Sequence, residues 1–99
     1  MKYRIEYSPE VENHLRVLSR GQQATVVDSV DEHLVHQPTV ETRNRKPMRP
    51  NPLAPWELRI GNLRVYYDVR EDPKRIVYII AVGVKKRNEV RIGKEVVRL

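Results

Sequence analysis

A chain of 99 residues is long enough for one domain with a modest core and too short for two. It has no cysteine, which excludes disulfides and thiolate metal sites, and no apolar run near the roughly 20 residues of a membrane span, so a cytoplasmic protein without membrane contact is expected. Its net charge of +6 is uneven: residues 1–40 hold four Lys/Arg against six Asp/Glu, or −2, while residues 41–99 hold fifteen against seven, or +8, a balance that suits phosphate backbones or an acidic protein partner.

In chain order, Lys2 to Tyr7 alternates Tyr3, Ile5 and Tyr7 with Arg4 and Glu6 and predicts a first strand rather than a signal peptide. Ser8 is a suitable N-cap and Pro9 a suitable first helical residue, with Glu10 and Glu12 near the positive end of the helix. A helix over residues 8–19 follows, with Val11, Leu15 and Leu18 on one stripe and Gly21 as its terminator. A second helix over residues 22–36 places Val26, Val27, Val30 and Leu34 at helical spacing and stops at Gln37-Pro38. The apolar stripes of this helical hairpin need a sheet to cover.

From Pro38 to Pro55 five prolines interrupt any regular pattern, and Arg43, Arg45, Lys46 and Arg49 make the segment basic. A crossing loop of this length inside a small domain is a candidate binding element. The stretch Pro55 to Val69 then alternates strictly. Trp56, Leu58, Ile60, Leu63, Val65, Tyr67 and Val69 fall on one face, and Glu57, Arg59, Arg64, Tyr66 and Asp68 on the other, with the alternation reset at Gly61-Asn62. This predicts a hairpin with a two-residue type II′ turn, and a polar face that gathers Arg59, Arg64 and Tyr66. After a turn at Glu71-Asp72-Pro73-Lys74, Arg75 to Val82 is apolar on both faces and should be the most buried strand. The tail is basic at Lys85-Lys86-Arg87, and Val90 to Leu99 reads as a short turn or helix followed by an extended segment.

Standard chemical motifs are missing: there is no Walker-type loop, no glycine fingerprint for a dinucleotide and no cysteine nucleophile, and no cofactor is expected. His33 and His36 are three apart, but sequence places no third ligand beside them, so exposed helix histidines are preferred over a metal site. The signal above background is cationic. Arg59 and Arg64 flank the hairpin turn, and Lys85, Lys86, Arg87 and Arg91 follow the central strand, so these side chains are expected to converge on one polar face. Such a cluster suits phosphate binding and the stabilisation of charge on a phosphate under attack. On composition alone, an ordinary solvated basic face is the simpler reading.

The order of these elements resembles the RelE/ParE superfamily of bacterial toxin–antitoxin toxins. The resemblance rests on Ser8-Pro9-Glu10 opening a helix, the helical hairpin closed by Pro38, the run Trp56 to Val69, and Ala81-Val82-Gly83 followed by Lys85, Arg87 and Asn88. It implies an α+β domain over residues 1–99, with an N-terminal strand, a helical hairpin, and then a mostly antiparallel twisted sheet of three or four further strands. It also implies the toxin of a type II toxin–antitoxin system, a class linked to plasmid stabilisation. In the RelE branch the toxin is an endoribonuclease that cleaves mRNA on the ribosome, by attack of a ribose 2′-hydroxyl on the adjacent phosphate. Carried onto this chain, catalysis falls to Arg64, Lys85, Arg59 and Arg91, and RNA binding to Arg43, Arg45, Lys46, Arg49, Tyr66, Lys86 and Arg87. The implied partners are a cognate antitoxin, the ribosome and mRNA. Two positions depart from the pattern: Glu57 stands where active RelE toxins are often basic, and Arg91 where a tyrosine is often found. The alternatives are a ParE-like, non-catalytic inhibitor of DNA gyrase, or an inactive member that only binds a partner.

Overall fold

The computed structural model describes residues 2–99, and among them two helices cover one face of a seven-stranded sheet. The helices are α1 (Pro9–Arg16) and α2 (Arg20–Leu34). The strands are β1 (Arg4–Tyr7), β2 (Arg45–Pro47), β3 (Trp56–Ile60), β4 (Leu63–Arg70), β5 (Ile76–Lys86), β6 (Glu89–Ile92) and β7 (Glu95–Val97). Strands β2 to β7 lie in sequence order and pair antiparallel, while β1 pairs parallel with the first half of β5. The α+β class and the mostly antiparallel sheet are those expected from the sequence. The sheet after the helices has six strands rather than three or four, because β2, β6 and β7 are only 3 or 4 residues long, too short for alternation to announce them.

Three local expectations are corrected. The break between the helices falls at Val17–Ser19, and Gly21 lies inside the first turn of α2 instead of ending α1. Ser19 decides this with a capping box: its hydroxyl accepts from the Gln22 backbone N–H at 3.1 Å, and the Gln22 side chain accepts from Ser19 N–H at 3.0 Å. Ser8 caps by position but not by side chain, because its hydroxyl donates instead to the Ile80 carbonyl at 3.1 Å and ties α1 to β5. The tail beyond Val90 contains no helix; it is the β6–β7 hairpin, joined by Gly93-Lys94 with Gly93 at φ +62°.

The helix-side core is the predicted one. Val11, Val26, Val30 and Leu34 pack on Leu58, Leu63, Val65, Tyr67, Val77, Ile79 and Val82, with Leu15, Leu18, Trp56 and Ile60 at the margin. Val27, on the same sequence stripe, is exposed. Tyr67 sits fully buried in this core with its hydroxyl donating to the Pro38 carbonyl at 2.6 Å, so the proline that ends the helical hairpin is fastened to the sheet. The hairpin register is also as read, with Arg59 opposite Arg64 and Ile60 opposite Leu63 across Gly61-Asn62. Of the two turn residues only Gly61 has positive φ, +56°, which fits type II′ and excludes type I′.

The other face of the sheet, here the far face, is less open than the alternation suggested. A bulge between Tyr66 and Tyr67 pairs Tyr66 with Ala81 and Tyr67 with Ile79, skipping Ile80. Ile80 and Ala81 both join a second apolar cluster with Ala54, Tyr66, Val90 and Ile92, bordered by Met48, Leu53 and Val97. The proline-rich segment supplies one wall of that cluster and is ordered by side-chain chemistry. Asn51 accepts from the N–H groups of Leu53 and Ala54 at 2.8 and 3.0 Å and donates to the carbonyls of Arg49 and Ala54 at 2.7 and 2.9 Å. No helix among the described residues is long and apolar enough to cross a membrane.

Candidate nucleic-acid interface

Strand register sorts the candidate cations, because directly paired residues share a face and neighbours along a strand do not. Lys46 pairs with Glu57, Glu57 with Tyr66, Arg59 with Arg64, Arg64 with Gly83, and Lys85 with Val90, which puts this set on the far face. Arg91 pairs with Val84 and Lys86 with Glu89, which puts them on the helix face. The expected convergence of Arg91 and Lys86 with Arg64 and Lys85 therefore does not occur: β5 runs between them.

On the far face a groove of about 620 Å3 is lined by Lys46, Met48, Arg49, Glu57, Arg59, Tyr66, Lys85, Asn88, Val90 and Leu99. Four cations surround it. Lys46 reaches Glu41 at 3.4 Å and Arg59 donates to Glu57 at 2.5 Å, while the side chains of Arg49 and Lys85 have no partner among the described residues. The groove is a basic channel bounded by the β2–β3 edge on one side and the end of β5 on the other.

Three sequence candidates are corrected by their surroundings. Arg45 is buried on the helix face, donating through Nε to the Val40 carbonyl and through a terminal nitrogen to the His33 carbonyl, both at 2.8 Å, so it fastens the segment after α2 and offers nothing to RNA. Arg64 does not line the groove. Its side chain is 11% exposed and donates to the carbonyls of Gly61 and Leu63 at 2.8 and 2.9 Å, with Glu57 at 3.6 Å. Tyr66, expected on an open polar face, is fully buried, and its phenol oxygen has no hydrogen-bond partner. Burial pushes the phenol well above its ordinary range, as does the nearby Glu57 carboxylate, against the weaker opposing pull of Arg64 and Arg59. A phenol held protonated can donate a hydrogen bond but cannot serve as a base near neutral pH.

Of the remaining candidates, Arg43 is exposed away from the groove, and Arg87 is exposed at the β5–β6 turn with φ +59°. Glu57 was missed by the sequence reading as a site residue. Its side chain is 12% exposed and sits between Arg59 and Arg64, neutralising part of the charge there. The signal was present, since an acid two residues before Arg59 and diagonal to Arg64 across the hairpin shares their face. His14, on α1, accepts a hydrogen bond through Nδ1 from Val82 N–H at 3.3 Å, and burial lowers its pKa against the opposing influence of Glu10 and Glu95.

Fold and site together define a class: an α+β domain whose helical hairpin covers one face of a mostly antiparallel sheet and whose other face carries a basic groove. A solved structure has the same fold. The chain aligns with one from the crystal structure of the toxin-antitoxin complex RelBE2 of Mycobacterium tuberculosis, at 24% identity and a TM-score of 0.72, over 86% of this chain and 100% of that one. No protein-family model matches the sequence, and no curated protein matches it.

Proposed function

We propose that this chain is the toxin of a type II toxin–antitoxin pair and acts on mRNA, with the far-face groove as its RNA site. The observation that carries the reading is the groove itself, in a RelE-like fold: four cations line it, two of them with free side chains. RNA backbone presents phosphates that lysine and arginine neutralise with release of counterions. In the cleavage the resemblance implies, a 2′-oxygen bonds to phosphorus, the bond from phosphorus to the 5′-oxygen breaks, and a proton passes from the 2′-hydroxyl to the leaving oxygen. Arg59, Arg49 and Lys85 supply charge stabilisation for the phosphorane-like transition state, while the Tyr66 phenol, buried beneath the groove, is out of reach of the phosphate. The groove holds no histidine and its one carboxylate, Glu57, is held by Arg59, so on this reading the ribosome or the RNA supplies the acceptor for the 2′-hydroxyl proton, and cleavage is expected only on translated mRNA.

The second reading is the non-catalytic gyrase inhibitor. Arg64 is engaged with backbone carbonyls and Arg91 lies across the sheet, which leaves fewer groups for chemistry than the resemblance implied and favours binding alone. Inducing the chain in cells, mapping RNA 5′ ends and monitoring DNA-damage signalling separates them. Cleavage of translated mRNA within minutes that is lost in Lys85→Ala supports the first reading. Growth arrest with intact mRNA and a DNA-damage response replaces it with the second.

A further inference from the structure

Glu57 is the one acidic group in the far-face groove, and strand register surrounds it with donors. It pairs with Tyr66 on β4 and with Lys46 on β2, while Arg59, two residues along β3, pairs with Arg64. Its carboxylate fits this setting poorly. Both arginines address the same oxygen, Oε1: Arg59 Nε donates to it at 2.5 Å, whereas Arg64 Nε stands at 3.6 Å, beyond hydrogen-bonding distance. Arg64 Nε and the Tyr66 phenol oxygen are buried without a hydrogen-bond partner, and burial holds that phenol protonated. Among the described residues no other buried side-chain nitrogen or oxygen is left so. Buried donors without acceptors are costly, so two of them beside one carboxylate mark a place that suits an acceptor with more oxygens than Glu57 supplies.

We propose that Glu57 occupies a recessed anion site formed by Arg59, Arg64 and Tyr66, and that a phosphate monoester displaces it, the carboxylate moving to Lys46. Charge and shape select this ligand. When Glu57 leaves, two guanidinium charges remain, which match the charge of about −1.5 to −2 on a phosphate monoester at pH 7 better than the single charge of a backbone diester. A monoester offers one terminal oxygen to each of Arg59 Nε, Arg64 Nε and Tyr66 Oη. It also hangs on a single ester link, so it reaches groups that a diester lying along the groove does not. Lys46 is the alternative partner for Glu57 because it lies opposite in register, and its present ion pair with Glu41, at 3.4 Å, is partly exposed and therefore weak. The monoester has two sources, a free phosphate compound or the phosphorylated end of an RNA, and the site is the same for both. Neither rests on the toxin reading above.

The probe is inorganic phosphate, titrated into the full chain at low salt and followed by isothermal titration calorimetry. Glu57→Gln should bind it at least tenfold more tightly than wild type does. In the Glu57→Gln background, Arg59→Gln should lose at least tenfold in affinity, and Tyr66→Phe at least threefold with Tm unchanged or raised, because the hydroxyl removed has no partner in the fold. Lys94→Ala, a cation outside the far-face groove, should change binding less than twofold. Lys46→Met should weaken phosphate binding at least threefold more in wild type than in Glu57→Gln, since the lysine's part is to receive the carboxylate. Thermal melts confirm that each variant folds. Short RNAs ending in a phosphate or a hydroxyl separate the sources: a phosphorylated end that adds at least threefold to the affinity of Glu57→Gln assigns the RNA end, and equal affinities with phosphate binding retained assign a free phosphate compound. The inference is overturned if Glu57→Gln binds phosphate no better than wild type, if Tyr66→Phe leaves the gain intact, if Lys94→Ala removes it as Arg59→Gln does, or if Lys46→Met acts equally in both backgrounds. Phosphate binding by Glu57→Gln in a chain that cuts no mRNA would leave this inference standing and remove the nuclease reading; mRNA cleavage without phosphate binding would do the reverse.

Discussion

Arg64 is the residue on which sequence and structure differ most, and its truncation tests which is right. Alternation places it on a polar face beside a hairpin turn, where an exposed arginine could be removed at a cost within about half a kcal/mol. The structure places its guanidinium against two carbonyls of the turn, at 2.8 and 2.9 Å, and beside a Glu57 carboxylate that is itself only 12% exposed. A hydrogen bond with one charged partner contributes about 1.5 to 3 kcal/mol when buried, and the turn carbonyls are partly rehydrated once Arg64 is gone, so Arg64→Ala should cost about 2 kcal/mol. For a domain of this size that lowers Tm by roughly 8 to 16 °C. Arg64→Lys should fall between, because an ammonium keeps the charge and can replace the one terminal nitrogen that reaches both carbonyls, but loses the Nε beside Glu57. Thermal unfolding followed by circular dichroism gives both shifts, and induction at low temperature, where Arg64→Ala is still folded, should retain most of the growth arrest. An unchanged Tm with complete loss of arrest would mean that the Arg64 guanidinium is free for phosphate and that the structural role assigned to it is wrong.

Lys85→Ala should leave Tm within about 2 to 4 °C of wild type, since the side chain is exposed and unpartnered, yet weaken single-stranded RNA binding and reduce the steepness of its salt dependence by about one counterion; an unaltered salt slope would remove Lys85 from the groove. Glu57→Gln should do the opposite in the same anisotropy assay, tightening RNA binding several-fold at low salt by freeing Arg59, and equal or weaker binding in a folded variant would contradict the neutralising role of the carboxylate. The His14 pKa is lowered in the fold, so the unprotonated form that accepts from Val82 N–H is favoured: stability should be level above about pH 6.5 and fall as pH drops through the lower folded-state value, and His14→Asn, which keeps an acceptor near Nδ1 but does not titrate, should lose this step in Tm against pH. Arg87→Gly should raise stability by about 1 kcal/mol in chemical denaturation by relieving a side chain held at φ +59°, and a loss of stability would show that Arg87 makes a compensating contact.

What the sequence determined by itself is everything that depends on period and on local turn chemistry. The strict alternation on both sides of Gly61-Asn62 specified the central hairpin, its register and its buried set, because a slip of one residue would turn Leu58, Val65 and Tyr67 out to water. The helical spacing of Val26, Val30 and Leu34 specified which stripe covers that sheet, and the capping box at Ser19 was legible although Gly21 drew the boundary away from it. What only the tertiary structure decided is which polar residues remain available for function. Alternation gives a face but not what covers that face, so it could not foresee that Met48, Leu53 and the β6–β7 hairpin would bury Tyr66, or that strands of 3 or 4 residues would complete the sheet. Basic residues look alike in sequence, yet their roles separate once the chain folds. Arg45 and Arg64 are engaged with backbone carbonyls, Lys85 and Arg49 stay free on one face, and Arg91 and Lys86 are carried to the other by the pleat of β5 and β6. The reason is physical: a cation's function follows from its partners, and although the carbonyls and carboxylates that hold Arg45, Arg59 and Arg64 lie close in sequence, many groups lie that close, and only the pairing and burial of the strands decide which of them face each cation.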